Sequence, residues 1–278
     1  MAIINLTPDS FSDGGLNLPR DSEKEQQGMN ALYARTFQKF NDGAAIIDIG
    51  GQSTAPGVHQ VTEAEEISRT IGFIQNLKDH PRLRKKIAIS IDTYHSSVAE
   101  ALDEVGIDII NDISAGQMDP NMLPTMARLG KTVILMHMRG TPQTMNSRTA
   151  YPDGLISTIA KELLERVAAA EAAGIYRWRI ILDPGIGFAK TSEQNLEILR
   201  RFDELRDWPG LRGLPWLVGS SRKNFVGKIT GVEEASRRVW GTAATVAAAV
   251  QGGADIVRVH DVKEMTQVAK MSDAIWRA

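Results

Sequence analysis

A (β/α)8 TIM barrel, an α/β fold in one domain over residues 1–278, is what this sequence predicts. Two patterns carry the prediction. Short β-branched runs recur at eight places with segments of helical character between them. The runs are apolar on both alternating faces, as strands covered by helices on each side are. A doubly wound sheet would usually show fewer strands, and a glycine-rich phosphate fingerprint after the first.

The expected strands are, in order, Ala2 to Ile4, Ala45 to Ile49, Ile87 to Ile91, Ile107 to Ile110, Thr132 to Met136, Ile180 to Leu182, Trp216 to Val218 and Asp255 to Val259. Among the helices, Thr62-Glu63-Ala64-Glu65 is a capping box opening the second, and Asp261-Val262-Lys263-Glu264 resembles one opening the last. Leu155, Ile159, Leu163 and Val167 form an i, i+4 stripe on a long fifth helix that stops near Gly174. The Ala-rich run from Val239 to Val250 reads as a buried helix, short of the ~20 apolar residues of a membrane span. No linker rich in Pro, Gly or Ser, no charge block and no low-complexity segment argues for a second domain.

Composition narrows the chemistry. The 278 residues are 42% apolar and carry 32 Lys plus Arg against 34 Asp plus Glu, a formal net charge of −2, which argues against a nucleic-acid partner or an acidic membrane surface. With no cysteine, chemistry falls to carboxylates, His, Lys, Arg, Ser or a hard metal ion. Met1-Ala2-Ile3-Ile4-Asn5 has no basic segment leading into an apolar one, so the expected compartment is the cytoplasm. The chain enters its first strand at once, as it would behind a natural leader or as a domain excised from a longer polypeptide.

Barrel active sites collect at the carboxyl ends of the strands. There this chain places Asn5, then Asp48, Asp92, Asn111 with Asp112, His137, Asp183-Pro184-Gly185-Ile186-Gly187, Ser220-Ser221-Arg222-Lys223, and Arg258 with His260. Asp48 is read as mostly structural, and the Met136 and Met138 pair as core packing that Met138 shares with a ligand wall. The carboxylates of Asp92 and Asp183 and the amide of Asn111 suit a flat heterocycle with several N–H donors and a carbonyl, such as a 2-amino-4-oxo pyrimidine edge. Lys223 suits a ring carbonyl or nitrogen, and Arg258 with His260 an anion. An aminopyrimidine bearing a phosphorylated arm satisfies all of them.

The segment Asn5-Leu6-Thr7-Pro8-Asp9-Ser10-Phe11-Ser12-Asp13-Gly14-Gly15 resembles the first signature of the dihydropteroate synthases, the folate-pathway targets of sulfonamides. Asp48-Ile49-Gly50-Gly51-Gln52-Ser53-Thr54-Ala55-Pro56-Gly57 resembles the second, and likeness continues at Ile91-Asp92-Thr93, Asn111-Asp112-Ile113, Met136-His137-Met138, Asp183 to Phe188, Ser221-Arg222-Lys223 and Arg258 to Asp261. The resemblance implies a usually homodimeric barrel that joins (7,8-dihydropterin-6-yl)methyl diphosphate to 4-aminobenzoate with Mg²⁺. It also implies that Asp92, Asn111, Asp183 and Lys223 hold the pterin, and Asn5, Arg258 and His260 the diphosphate, with Asn5 also at the metal. Thr54 and Pro56 then belong to the loop over diphosphate and aminobenzoate, Ser221 at a helix start holds the benzoate carboxylate, Phe188 walls that region, and Phe11 with Asp13 closes the first loop.

Two positions depart from the family pattern, Gln52 where Glu is usual and Ala55 where Arg commonly follows the Ser-Thr pair. In fungi and some protozoa the family's domain is fused behind other folate enzymes. Alternatives to a synthase are a non-catalytic pterin-binding paralogue, which Ala55 keeps open, and a corrinoid-type pterin methyltransferase, which has no use for a diphosphate site.

Overall fold

The computed structural model describes residues 1–6, 22–52, 60–83 and 85–277, with side chains from residue 27 onward in the first helix. Six strands, β1 (Ala2–Asn5), β2 (Ile46–Gly50), β3 (Ala88–Asp92), β4 (Ile109–Asp112), β5 (Thr132–Met136) and β6 (Ile180–Asp183), pair in chain order in one parallel sheet. β7 (Leu217–Val218) and β8 (Ile256–Val257) form a second parallel pair. Two seams join them into a ring: Leu182 N–H donates to Pro215 O at 2.9 Å, and Ile3 N–H to Val259 O at 3.0 Å. All eight expected strands are present. β4 runs two residues later than the sequence predicts, so Asn111 and Asp112 belong to the strand rather than to the loop after it.

The outer layer consists of α1 (Ser22–Asn41), α2 (Glu63–Asp79), α3 (Ser96–Asp103), α4 (Met122–Leu129), α5 (Leu155–Ala172), α6 (Ser192–Arg200), α7 (Phe202–Arg206), α8 (Asn224–Thr230), α9 (Val239–Gly252) and α10 (Val262–Trp276). Thr62 caps α2 by accepting from Glu65 N–H at 3.2 Å. The α5 stripe of Leu155, Ile159, Leu163 and Val167 is buried against the sheet as expected. Two expectations are corrected. α10 starts where the sequence placed it, but Asp261 makes no capping hydrogen bond, because its carboxylate is held by Arg222. α9 is covered on one face only, and Trp240 stands 83% exposed on the other.

Most apolar side chains fill the layer between strands and helices. A separate cluster plugs the barrel axis: Ile109, Ile134, Ile181 and Leu217 are buried together, with Met1, Ile46, Ala88 and Ile256 packed against them. Each strand or its leading residue contributes one member, which makes this end of the barrel a packed core and not a pore.

Candidate active site

Side chains pointing inward recur every second residue along a strand, about 6–7 Å further up the axis. Two residues beyond the apolar plug the inward positions become Asp48, Ser90, Asn111, Asp183 and Arg258, and two beyond these stand Asn5, Asp92, Ser221 and His260. The strand period alone converts an oily floor into a charged mouth. A cleft of about 1070 Å³ opens there, lined by Asn5, Asp92, Phe188, Lys190, Ser221, Lys223, Arg258 and His260 among others.

Arg258 reaches across the mouth. Its Nε donates to Asp48 Oδ2 at 2.6 Å and its Nη2 to Asp92 Oδ2 at 2.6 Å. The same Asp48 oxygen accepts from Asn111 Nδ2 at 3.2 Å. Burial works against the guanidinium charge, but the two carboxylates outweigh it and keep Arg258 a cation. Burial pushes the Asp92 pKa up, with Arg258 opposing and the Asp48 charge adding to the rise. Asp112, by contrast, is spent on its own turn, where it accepts from Ser114 N–H at 2.7 Å and Gly116 N–H at 2.6 Å.

Asp183 and Lys223 form the other side. Asp183 Oδ1 accepts from Gly185 N–H at 2.7 Å; burial raises its pKa while the nearby Lys223 ammonium opposes. Burial lowers Lys223 to about 8, with Asp183 opposing. Its Nζ donates to Ile186 O and lies 4.6 Å from the Phe188 ring centroid, a cation–π contact.

The β6–α6 connection that presents Phe188 has its own scaffold. Gly185 and Gly187 take φ +68° and +81°, and a Cβ at Gly187 would lie 2.8 Å from Lys223 Cδ, so both turns require glycine. Gly187 N–H donates to Asn195 Oδ1 at 2.7 Å, on a helix opened by a Thr191–Gln194 capping box. Lys190, which the sequence reading did not single out, donates to Gly185 O at 3.0 Å, Phe188 O at 2.9 Å and His137 Nδ1 at 3.0 Å. Burial lowers it to about 7, with Asp183 opposing. His137 is turned away from the mouth: burial and Lys190 depress it to about 4, so its ring is neutral and its Nε2–H faces Glu162 Oε2 at 2.8 Å.

Past β7, Ser221 Oγ and His260 Nδ1 are 3.0 Å apart, and His260 N–H donates back to Ser221 Oγ at 3.2 Å. Burial, with Arg222 and Arg258 nearby, lowers His260 to about 3. His260 therefore offers an anion a hydrogen bond and not a charge. Arg222 holds the left-handed φ of +61°, fixed by Asp261 at 2.5 Å and by Arg238 Nη1 on its carbonyl at 2.8 Å. Ser221 stands outside α8, whose N-cap is Lys223, so the expected placement at a helix start is also corrected.

Asn5, Asp92, Phe188, Ser221, Lys223, Arg258 and His260 therefore meet at one cleft, with Asn111 and Asp183 buried beside it. Met138 does not line it, and packs with Tyr94, Ile113, Met136 and Met145 in a satellite core. Phe11, Asp13, Thr54, Ala55 and Pro56 lie outside the described residues. Gln52 is buried and donates to Tyr94 Oη at 2.5 Å. Among the described residues no group of three or more His, Asp and Glu side chains is placed to hold a metal ion. The Asn5 amide oxygen at the mouth nevertheless suits Mg²⁺, a hard ion commonly held by few protein oxygens together with water and substrate phosphates.

Residues 1–260 match the family of pterin binding enzymes. A dihydropteroate synthase of Synechocystis is 46% identical over 277 residues, covering 100% of this chain and 90% of that one. The chain belongs to the dihydropteroate synthase family. The folic acid synthesis protein of Pneumocystis carinii is 49% identical over 278 residues, and the chain covers only 36% of its length. Crystalline dihydropteroate synthase from Clostridium difficile, determined in the presence of pteroic acid, superposes with a TM-score of 0.86 at 38% identity, covering 100% of this chain and 96% of that one. The whole mouth lies inside the family match, and only α10 lies beyond it.

Proposed function

We propose that this member of the dihydropteroate synthase family condenses (7,8-dihydropterin-6-yl)methyl diphosphate with 4-aminobenzoate, giving 7,8-dihydropteroate and pyrophosphate, as one catalytic unit over residues 1–278. One observation carries the reading: hydrogen-bonding groups matched to an aminopyrimidine (Asp92, Asn111, Asp183 and Lys223) stand beside Arg258, a fixed cation suited to a diphosphate. Similarity to a synthase crystallised with pteroic acid supports it.

In this reading Asp183 and Asn111 read the ring's donors and Lys223 its carbonyl. Asn5 and Arg258 take the diphosphate, with a hydrogen bond from neutral His260. Asn5, together with the diphosphate, would hold Mg²⁺, which when bound would neutralise charge on the leaving group. The bond from the pterin methylene carbon to the diphosphate oxygen breaks, and its electron pair departs with pyrophosphate. The aniline lone pair then forms the C–N bond, and its proton passes to pyrophosphate or water. Asp92 opposes the positive charge that develops on the pterin-methyl unit, a contribution available without reorganisation because Arg258 already fixes it. Ser221 holds the benzoate carboxylate and Phe188 walls its ring. Phe11, Asp13, Thr54 and Pro56 join the proposal on sequence alone.

Ala55 favours a second reading, a pterin binder without turnover. Loss of a charge-assisted hydrogen bond to diphosphate costs about 1.5–3 kcal/mol, roughly ten- to a hundredfold in rate, which handicaps a synthase without abolishing it. A turnover assay with purified protein, Mg²⁺ and both substrates decides. Dihydropteroate and pyrophosphate in equal amounts, with improvement on Ala55→Arg, support the synthase. No turnover by either form while pterin still binds would replace it with the binder.

Magnesium dependence, a cytoplasmic location and a homodimer belong to the same proposal. No helix among the described residues is long and apolar enough to cross a membrane. The outward faces of the neighbouring helices α9 and α10 leave Trp240, Met271 and Ile275 more than half exposed, at 83%, 63% and 55%, which suits packing against a second copy.

A further inference from the structure

Asp48 has no route to a ligand. It is wholly buried, it does not line the cleft, and its Oδ1 is buried with no hydrogen-bond partner among the described residues. A carboxylate kept only to stabilise the barrel would be expected to satisfy both oxygens, since a buried unpaired acceptor is costly. Here one oxygen, Oδ2, carries both hydrogen bonds, from Arg258 Nε at 2.6 Å and Asn111 Nδ2 at 3.2 Å.

Those two partners belong to different parts of the proposed substrate, the amide to the pterin ring and the guanidinium to the diphosphate. Asp48 thus fixes both from beneath, on β2, while they stand on β4 and just past β8. Arg258 also grips Asp92, whose neighbour in the β3–β4 register is Asn111, so the four groups close a ring around the mouth. Tilting the guanidinium toward an incoming anion changes the geometry at Asp48 Oδ2, and with it the acceptor that aims Asn111. We propose that Asp48 is a positioning residue that couples the pterin subsite to the diphosphate subsite, an inference that rests on the function proposed above.

Coupling of this kind is reciprocal: pyrophosphate must change pterin affinity by the same factor that pterin changes pyrophosphate affinity. Calorimetric titration of 7,8-dihydropterin, with and without pyrophosphate and Mg²⁺, measures that factor. In the wild type pyrophosphate should tighten pterin binding. Asp48→Asn keeps the shape and removes the charge, and is expected to weaken each ligand about tenfold and to bring the factor close to one. A folded Asp48→Asn that loses only thermal stability, or weakens only one ligand, overturns the proposal. So does a wild type that binds both ligands without mutual effect.

Removing Asp48 alone leaves Arg258 under-compensated and risks the fold, so a second comparison removes both charges together. Pterin affinity of Asp48→Asn/Arg258→Gln should still fall below that of Arg258→Gln alone, because the acceptor that aims Asn111 has lost its charge. Equal affinities in that pair would reduce Asp48 to a counter-charge for Arg258 and overturn the coupling role. Absence of any pterin binding by the wild type would overturn the underlying function and this role with it, a result distinct from binding without coupling.

Discussion

Glu66 shows what burial does to a carboxyl in this barrel. It sits on α2 at 1% exposure, packed beneath Gly51, and burial raises its pKa from 4.5 to about 7, with Thr93 opposing and Asp92 adding to the rise. An unfolded chain releases this proton near 4.5, the folded chain only near 7. Between those values the unfolded state binds fewer protons, so Glu66 subtracts stability as pH rises through that window and by a constant amount above it. Glu66→Gln, neutral at every pH, should gain on the order of 2 kcal/mol at pH 8 and almost nothing at pH 4.5, as read by chemical denaturation at the two pH values. An equal effect at both would show that Glu66 titrates normally. The residues at the strand ends were legible in the sequence, because Asp92, Asn111, Asp183 and Arg258 each follow an apolar run. Their pairing was not. Arg258 meets Asp48 and Asp92 across 210 and 166 residues of chain, and only closure of the ring brings them together. For the same reason the sequence did not show that burial and two nearby arginines keep His260 neutral.

At the scale of elements, the β6–α6 connection is the best-determined part of the mouth. Two glycines at positive φ turn it, a capping box fixes where it ends, and two lysines bind its carbonyls. The glycines and Asp183 could be read from the Asp-Pro-Gly-Ile-Gly pattern. Lys190 could not, because its role is to donate to backbone carbonyls, and backbone acceptors leave no trace in a sequence. Lys190→Met keeps length and apolar stem but removes the three donors. It should raise KM for the pterin diphosphate about tenfold with a smaller change in kcat, because the loop is misplaced while the leaving-group machinery at Arg258 is intact. Lys190→Arg should recover part of the loss. Steady-state kinetics separate this from simple destabilisation, in which active-enzyme concentration and kcat fall together with KM unchanged.

The whole molecule was the most legible level. Eight apolar runs became eight parallel strands, since covering a sheet on both sides demands continuous hydrophobicity that periodicity reveals directly. What the pattern hid was which helical faces stay bare: Ala and Gly dominate α9, and small residues suit a buried face and an interface equally. Trp240→Glu places a charge on that face and should shift sedimentation from dimer toward monomer, while the circular dichroism of the fold is unchanged. A monomeric wild type would contradict the second-copy reading. The central claim is that the barrel mouth reads a pterin through buried, charge-balanced carboxylates. Calorimetric titration of 7,8-dihydropterin into wild type and Asp183→Ala tests it most directly. Leaving the heterocycle's donors without a charged acceptor should cost about 3 kcal/mol, roughly a hundredfold in affinity, in a variant that remains folded. Undiminished affinity in folded Asp183→Ala would contradict it.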